Sequence, residues 1–234
     1  MISRDLATFA KVSGGVLHGA NAAFARVISD SRALEPGALF VALAGDRFDG
    51  HDFVADAAQR GAAGAIVSRP VDCALPQVVV ADTLVGLAAF ANAWRRSFAG
   101  VVVGITGSNG KTTVKEMTGA ILSDLGPCLV TQGNLNNHIG VPLTLCRLEA
   151  THRCAVIEMG ANHLREIAHL AAIAEPTVGL VINAGQAHLE GFGGIDGVAR
   201  GKGEMFEALG PDGTAVINAD DRFAAFWQDR ARRA

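Results

Sequence analysis

The sequence predicts an α/β protein in two parts: a small N-terminal α/β unit over residues 1–99, and a mostly parallel sheet carrying a phosphate loop over residues 100–234. Three observations lead there. An apolar run, Val101-Val102-Val103-Gly104-Ile105, breaks into Thr106-Gly107-Ser108-Asn109-Gly110-Lys111-Thr112-Thr113 and then into a helical pattern. That order of strand, glycine loop and helix gathers backbone amides on a polyphosphate. From Val101 onward, apolar runs alternate with helical patterns, as right-handed βαβ crossovers require. Finally, 50% of the 234 residues are hydrophobic and only 18% are charged, enough to build a sizeable core.

The elements follow in order. Residues 3–12 begin with Ser3 as a cap and place Leu6, Phe9 and Ala10 at helical spacing. Residues 26–32 and 38–43 read as strands joined by a Glu-Pro-Gly turn. His51 to Gly61 reads as a helix with a glycine stop, followed by strands at 64–68 and 77–80. Asp82 caps a helix that runs to Phe98. After the glycine loop, Val114, Met117, Ile121, Leu122 and Leu125 form an apolar helix face, with Lys115, Glu116 and Asp124 pointing outward. Further strands are expected at 128–131, 154–159, 177–183 and 214–218, with helices at 163–174 and 195–209. The segment from Asp220 to Ala234 is helical with no returning strand, so the second domain is expected to be truncated.

Composition excludes several function classes. A formal charge of −3 and two short basic clusters, Arg95-Arg96 and Arg230 to Arg233, leave no footprint for nucleic acid. No apolar run reaches the roughly 18 residues of a membrane span. Arg4, Asp5 and Lys11 break any export signal. Cys73, Cys128, Cys146 and Cys154 form no C-x-x-C pair and lie in or beside apolar runs, as reduced thiols of a cytosolic protein do.

Chemistry-bearing residues cluster where strands end. In the glycine loop, Lys111 is placed to reach the outer phosphates and the Thr112 hydroxyl to sit on Mg²⁺. Ile105 stands where the usual pattern has glycine, and the bland alternative is a tight turn with a surface lysine. Gln132 to Pro142 is a polar loop whose Asn134, Asn136 and Asn137 offer donors and acceptors, or simply a turn. Glu158 ends an apolar strand, where burial is costly unless it meets a cation. Mg²⁺ shared with Thr112 would supply one, and an arginine is the alternative. His188 reads equally as a loop histidine or a metal ligand. Lys202 reads by sequence alone as a surface lysine.

Taken together, T-G-S-N-G-K-T-T-V-K-E-M, G-N-L-N-N-H-I-G-V-P-L-T-L, V-I-E-M-G-A-N-H, A-H-L-E-G-F-G and K-G-E-M-F resemble the Mur ligase family of peptidoglycan synthesis, in order over nearly the whole chain. The resemblance implies an N-terminal UDP-sugar-binding domain over 1–99 and a central ATP-binding domain over 100–234, with the remainder of that domain and a C-terminal domain absent. Ser29, Asp30, Ser31 and Arg32 would line the uridine-nucleotide site; Asn134, Asn136, Asn137 and His138 would face the substrate. Thr106 to Thr113 would hold ATP. Thr112 and Glu158 would ligate one Mg²⁺ and His188 a second, with Lys202 assisting as a carbamate. The segments are most similar to members that join D-alanyl-D-alanine to UDP-N-acetylmuramoyl-tripeptide through an acyl phosphate. Such an enzyme is expected to be a cytoplasmic monomer. The alternatives are a member that adds a single amino acid, and a non-catalytic nucleotide-binding module.

Overall fold

The computed structural model describes residues 1–45 and 48–232. The chain divides into two compact units, Met1–Ser97 and Phe98–Ala234.

The first unit comprises α1 (Leu6–Ser13), β1 (Val16–His18), β2 (Val27–Ile28), β3 (Leu39–Val41), the antiparallel pair β4 (Ala44–Gly45) and β5 (Phe48–Asp49), α2 (Val54–Gln59), β6 (Gly64–Val67), β7 (Gln77–Val79) and α3 (Thr83–Arg96). Its sheet has the order β1-β7-β6-β3-β2, parallel except for β1 against β7. Side-chain alternation splits the core between two faces. Ala65 and Val67 pack with Phe40, Val54 and Ala57 on the α2 side. On the other side Phe9 of α1 stacks on Phe90 of α3, with ring centroids 4.8 Å apart.

Several sequence expectations shift here. The cap of α1 is Asp5, whose carboxylate accepts from the Thr8 amide at 2.7 Å, and not Ser3, which lies outside the first turn. Residues 26–32 and 38–43 are not a hairpin: β2 and β3 pair in parallel, with a 3₁₀ turn at Ser31–Ala33 between them. The helix expected from His51 starts as a 3₁₀ turn, Gly50–Phe53, and becomes α-helical at Val54. Asp82 caps α3 as expected, accepting from the Leu84 and Val85 amides.

The second unit comprises β8 (Val101–Thr106), α4 (Lys111–Ser123), β9 (Cys128–Val130), α5 (Gly140–Leu145), β10 (Cys154–Glu158), α6 (Glu166–Ala174), β11 (Val178–Val181), α7 (Leu189–Phe192), α8 (Ile195–Glu207), β12 (Thr214–Ile217) and α9 (Ala224–Ala231). Its sheet, in the order β12-β11-β8-β10-β9, is parallel throughout. β10 lies on one flank of β8 and β11 on the other. The order therefore reverses at β8, and a crevice forms beyond its C-terminal end. Val103 and Ile105 face Val114 and Leu122 of α4. Gly104 points to the opposite face, where a Cβ would stand 3.0 Å from the Met205 sulfur of α8, so a larger residue would require the Met205 side chain to give way.

The largest correction concerns α4. Lys115 and Gly119 are its buried positions, while Met117, Ile121 and Leu125 are 60%, 67% and 74% exposed. Gly119 lets the helix sink onto the sheet, since a Cβ there would be 2.6 Å from Val130. Lys115 can follow it inward because carboxylates stand beside it. Two short helices, α5 and α7, lie where the sequence pattern predicts loops. The C-terminal helix is α9, and Arg233 and Ala234 lie outside the described residues.

The four cysteines are free, two buried and two half-buried, and among the described residues no helix is long and apolar enough to cross a membrane.

α9 docks through Trp227, fully buried, whose indole N–H donates to the Ala199 carbonyl of α8 at 2.9 Å. Trp227→Ala is expected to destabilise the second unit by about 3 kcal/mol or more, read as a lowered denaturation midpoint.

Candidate functional site

The site of the second unit is built where β8 ends. Gly110 holds a left-handed φ of +78° and serves as the N-cap of α4, so the chain turns from loop to helix within one residue. The first-turn amides of α4 have no intrahelical acceptors and carry the positive end of the helix dipole. Thr106 is buried, its hydroxyl donating to the Met159 carbonyl, which ties the end of β8 to the end of β10. Gly107 is buried, whereas Asn109, Gly110, Thr112 and Thr113 are exposed. Lys111 arches back over the loop, its Nζ donating to the carbonyls of Gly107 at 2.8 Å and Ser108 at 3.3 Å. Burial pushes its ammonium pKa down, and the Glu158 carboxylate works against that shift.

Glu158 ends β10 and is 2% exposed. The Thr112 hydroxyl donates to its Oε2 at 3.2 Å and the Asn136 amide to its Oε1 at 2.8 Å. The cation beside it is Lys115 at 3.9 Å, not an arginine. Thr112 Oγ1 and Glu158 Oε2 thus form a pair of oxygen donors next to the glycine loop. That donor set suits Mg²⁺, which takes one or two protein oxygens and completes its octahedron with water and phosphate.

Lys202 is not the surface lysine its sequence context suggests. It is 2% exposed on α8, its ammonium 5.2 Å from the Phe192 ring centroid, with Nζ donating to the Ala161 carbonyl at 3.4 Å. Burial first, and the positive charge of Lys111 second, push its pKa down to about 8. Two residues on, Glu204 accepts from the Arg165 amide at 2.7 Å and the Ala168 amide at 3.0 Å. It holds Arg165 in a left-handed conformation, φ +71°, at the start of α6. His188 is exposed at the N-cap of α7, and its imidazole has no hydrogen-bond partner among the described residues. No cluster of three or more His, Cys, Asp or Glu residues suited to a metal occurs among the described residues.

The asparagine segment divides. Asn136 reaches Glu158, whereas Asn137 is a local cap whose Oδ1 accepts from the Ile139 and Gly140 amides. Asn134 and His138 are exposed. In the first unit, Asp30 caps the 3₁₀ turn that follows β2 and grips Arg32 through both carboxylate oxygens, at 2.9 and 2.8 Å. Arg32 holds the Asp30 carboxyl down at about 2. Ser29 precedes that pair and Ser31 lies between its members, both half-buried. Nearby in sequence, Asp49, His51 and Ser68 form a chain resembling a nucleophile triad. The Ser68 backbone amide donates to His51 Nε2 at 2.9 Å, however, so the imidazole has no lone pair free for the hydroxyl proton, and the chain is structural.

Asn183 was missed by sequence reading as an individual residue. At the end of the run after β11, its Oδ1 accepts from the amides of Ser108 and Asn109, both at 3.1 Å, and its Nδ2 donates to the Asn109 carbonyl at 3.2 Å. Ser108 Oγ and the Gly185 backbone exchange two further bonds. The signal available was an asparagine directly after an apolar strand next to the glycine loop's own strand. Beside these contacts opens a cleft of about 290 Å³, lined by Ala184, Gly185, Gln186, Leu189, Ile195 and Arg222.

A glycine loop at the C-terminal end of a central parallel strand, at the point where strand order reverses, defines a phosphate-loop α/β protein. The Mur ligase middle domain matches residues 105–234, and the catalytic domain of the Mur ligase family matches residues 6–95. The chain belongs to the Mur ligase family. It is 51% identical over 229 residues to the UDP-N-acetylmuramoyl-tripeptide–D-alanyl-D-alanine ligase of Escherichia coli K12, covering 97% of this chain and 50% of that protein. The corresponding ligase of Mycobacterium tuberculosis H37Rv is 37% identical, covering 94% and 49%. Among solved structures, MurF from Acinetobacter baumannii superposes with a TM-score of 0.90 at 41% identity, covering 97% of this chain and 51% of that one. MurF ligase from Thermotoga maritima in complex with ADP gives 0.79 at 34% identity, covering 89% and 48%. The chain spans about half the length of these relatives.

Asn183→Ala removes a side-chain acceptor shared by two loop amides; the Ser108 amide keeps the Asn183 backbone carbonyl, 3.1 Å away, whereas the Asn109 amide loses its acceptor. Hydrogen exchange at Asn109 is expected to accelerate at least about tenfold, with Ser108 and the amides of β8 still protected.

Proposed function

We propose that this chain carries the UDP-sugar-binding and ATP-binding parts of a ligase that joins D-alanyl-D-alanine to UDP-N-acetylmuramoyl-tripeptide in the cytoplasm. The observation that carries the reading is the convergence of Thr112 and the buried Glu158 at the glycine loop, in a chain half identical to the E. coli ligase. Residues 1–99 form the UDP-sugar domain, with Ser29, Asp30, Ser31 and Arg32 in the nucleotide site, and residues 100–234 the ATP domain. Asn134, Asn136, Asn137 and His138 face the muramoyl substrate.

In this reading the tripeptide carboxylate attacks the γ-phosphorus of ATP, the β–γ bridge bond breaks, and an acyl phosphate and ADP result. The amine of D-alanyl-D-alanine then displaces phosphate and loses a proton to form the amide. The protein's part is positioning and charge. The first-turn amides of α4 bind phosphate oxygens, and Lys111 exchanges its loop carbonyls for the transferred group. Thr112 and Glu158 would hold Mg²⁺, which would supply neutralising charge to the polyphosphate. Lys202 is assigned to carbamate formation: its amine attacks CO₂ and loses a proton, leaving a carboxylate that shares one negative charge over two oxygens and that, with His188, would hold a second Mg²⁺. Its burial, its contact with the Ala161 carbonyl and its depressed pKa support that assignment.

Calorimetry of this chain with Mg-ADP tests the nucleotide site. Binding is expected, and Lys111→Ala should weaken it by about a hundredfold with the fold intact. Absence of binding by the parent chain would reject the assignment. In the full-length ligase, transfer to D-alanyl-D-alanine rather than to single amino acids is expected. There, Lys202→Ala should be nearly inactive and regain activity with added short carboxylates, whereas full activity without them would return Lys202 to a packing role.

A further inference from the structure

Lys115 lies on the second turn of α4 with no exposed surface, and among the described residues its Nζ has no aligned hydrogen-bond acceptor. Two carboxylates flank it. Glu116 Oε1 is 2.9 Å away but its side chain is 66% exposed; Glu158 Oε2 is 3.9 Å away and its side chain is 2% exposed. Distance alone would choose Glu116. Solvent reverses that choice: water screens an exposed partner and leaves such a pair worth little, whereas two charges both withdrawn from water interact strongly and each leaves a severe penalty if the other is removed.

The remaining partners of Glu158 sharpen the case. Thr112 and Asn136 are neutral donors, and the Lys111 ammonium is hydrogen-bonded to the carbonyls of Gly107 and Ser108. Lys115 is therefore the buried cation standing against the same oxygen, Oε2, that faces Thr112. The helix also submerges a lysine here while leaving Met117 and Ile121 in water, an arrangement that packing alone would not favour.

We propose that Lys115 is a positioning residue: its ammonium is the built-in counter-charge of Glu158, holding Oε2 beside the Thr112 hydroxyl and offsetting the carboxylate's charge before a divalent cation binds. The ion pair stands on the geometry above. Its consequence for the metal rests on the reading of Thr112 and Glu158 as Mg²⁺ ligands. Thr112 and Asn136 still bond both carboxylate oxygens when the ammonium is removed, so charge sets the sign of that consequence. A fixed positive charge beside the carboxylate repels the incoming ion, so removing it should tighten Mg²⁺ binding rather than weaken it.

The test is a double-mutant cycle on this chain, with Lys115→Met, Glu158→Gln and the double variant followed by thermal unfolding, and Glu116→Gln as control. Methionine keeps most of the lysine's volume, so a packing role would survive the change. Lys115→Met is expected to lower the midpoint by about 5 °C or more. The double variant should recover at least about half of the loss, and Glu116→Gln should shift it by only about 1 °C. If Lys115→Met does not fold, recovery of folding in the double variant is the same result. In a Mg²⁺ titration at fixed ADP, Lys115→Met should lower the half-saturating concentration by about threefold or more. Additive effects in the cycle, or a Glu116→Gln loss equal to that of Lys115→Met, would overturn the proposal, as would an unchanged Mg²⁺ half-saturation in a folded Lys115→Met. Should the parent chain show no Mg²⁺ response while the coupling persists, the metal reading falls and the ion pair is supported.

Discussion

A carboxylate buried at the end of a parallel strand is the constraint from which much of the second unit follows. Glu158 lies 2% exposed at the C-terminal end of β10, where an unpaired charge would be prohibitively costly. Its neighbours come from several elements: Thr112 and Lys115 from α4, Asn136 from the segment before α5, and Thr131, whose hydroxyl accepts from the Glu158 backbone amide, from the end of the run through β9. These contacts fix α4 in rotation as well as in position. The inward lysine and the outward Met117, Ile121 and Leu125 are two aspects of the same choice.

The glycine loop is held from the other flank of β8. Asn183 satisfies Ser108 and Asn109, and Gly185 locks onto Ser108, so the run after β11 clamps one half of the loop and leaves the helix-side amides for a ligand. Reversal of strand order at β8 makes this possible, because it brings β10 and β11 to opposite sides of one loop. α8 packs against the sheet at Gly104, and it delivers Lys202 to the interior while Glu204 secures the start of α6. A lysine kept from water and near a second lysine has its ammonium form disfavoured by both.

Sequence alone determined those features that depend on local chemistry. Apolar runs ending in glycine marked β8 and its loop, alternation marked the parallel sheet, and Asp82 marked the start of α3, since backbone conformation and capping depend on neighbours in the chain. The order of five separated motifs also specified the family. Short elements were not legible. β1 pairs three residues with β7, and α5 and α7 run for six and four, so neither periodicity nor propensity accumulates over them. Which way a charged side chain points was decided only by the tertiary structure. Lys115 and Lys202 carry the composition of surface residues, and their burial depends on partners distant in sequence: Glu158, 43 residues beyond Lys115, and the Ala161 carbonyl, 41 residues before Lys202. The cost of burying a charge is set by what meets it inside, and that is a property of the assembled sheet and helices rather than of any local stretch of chain.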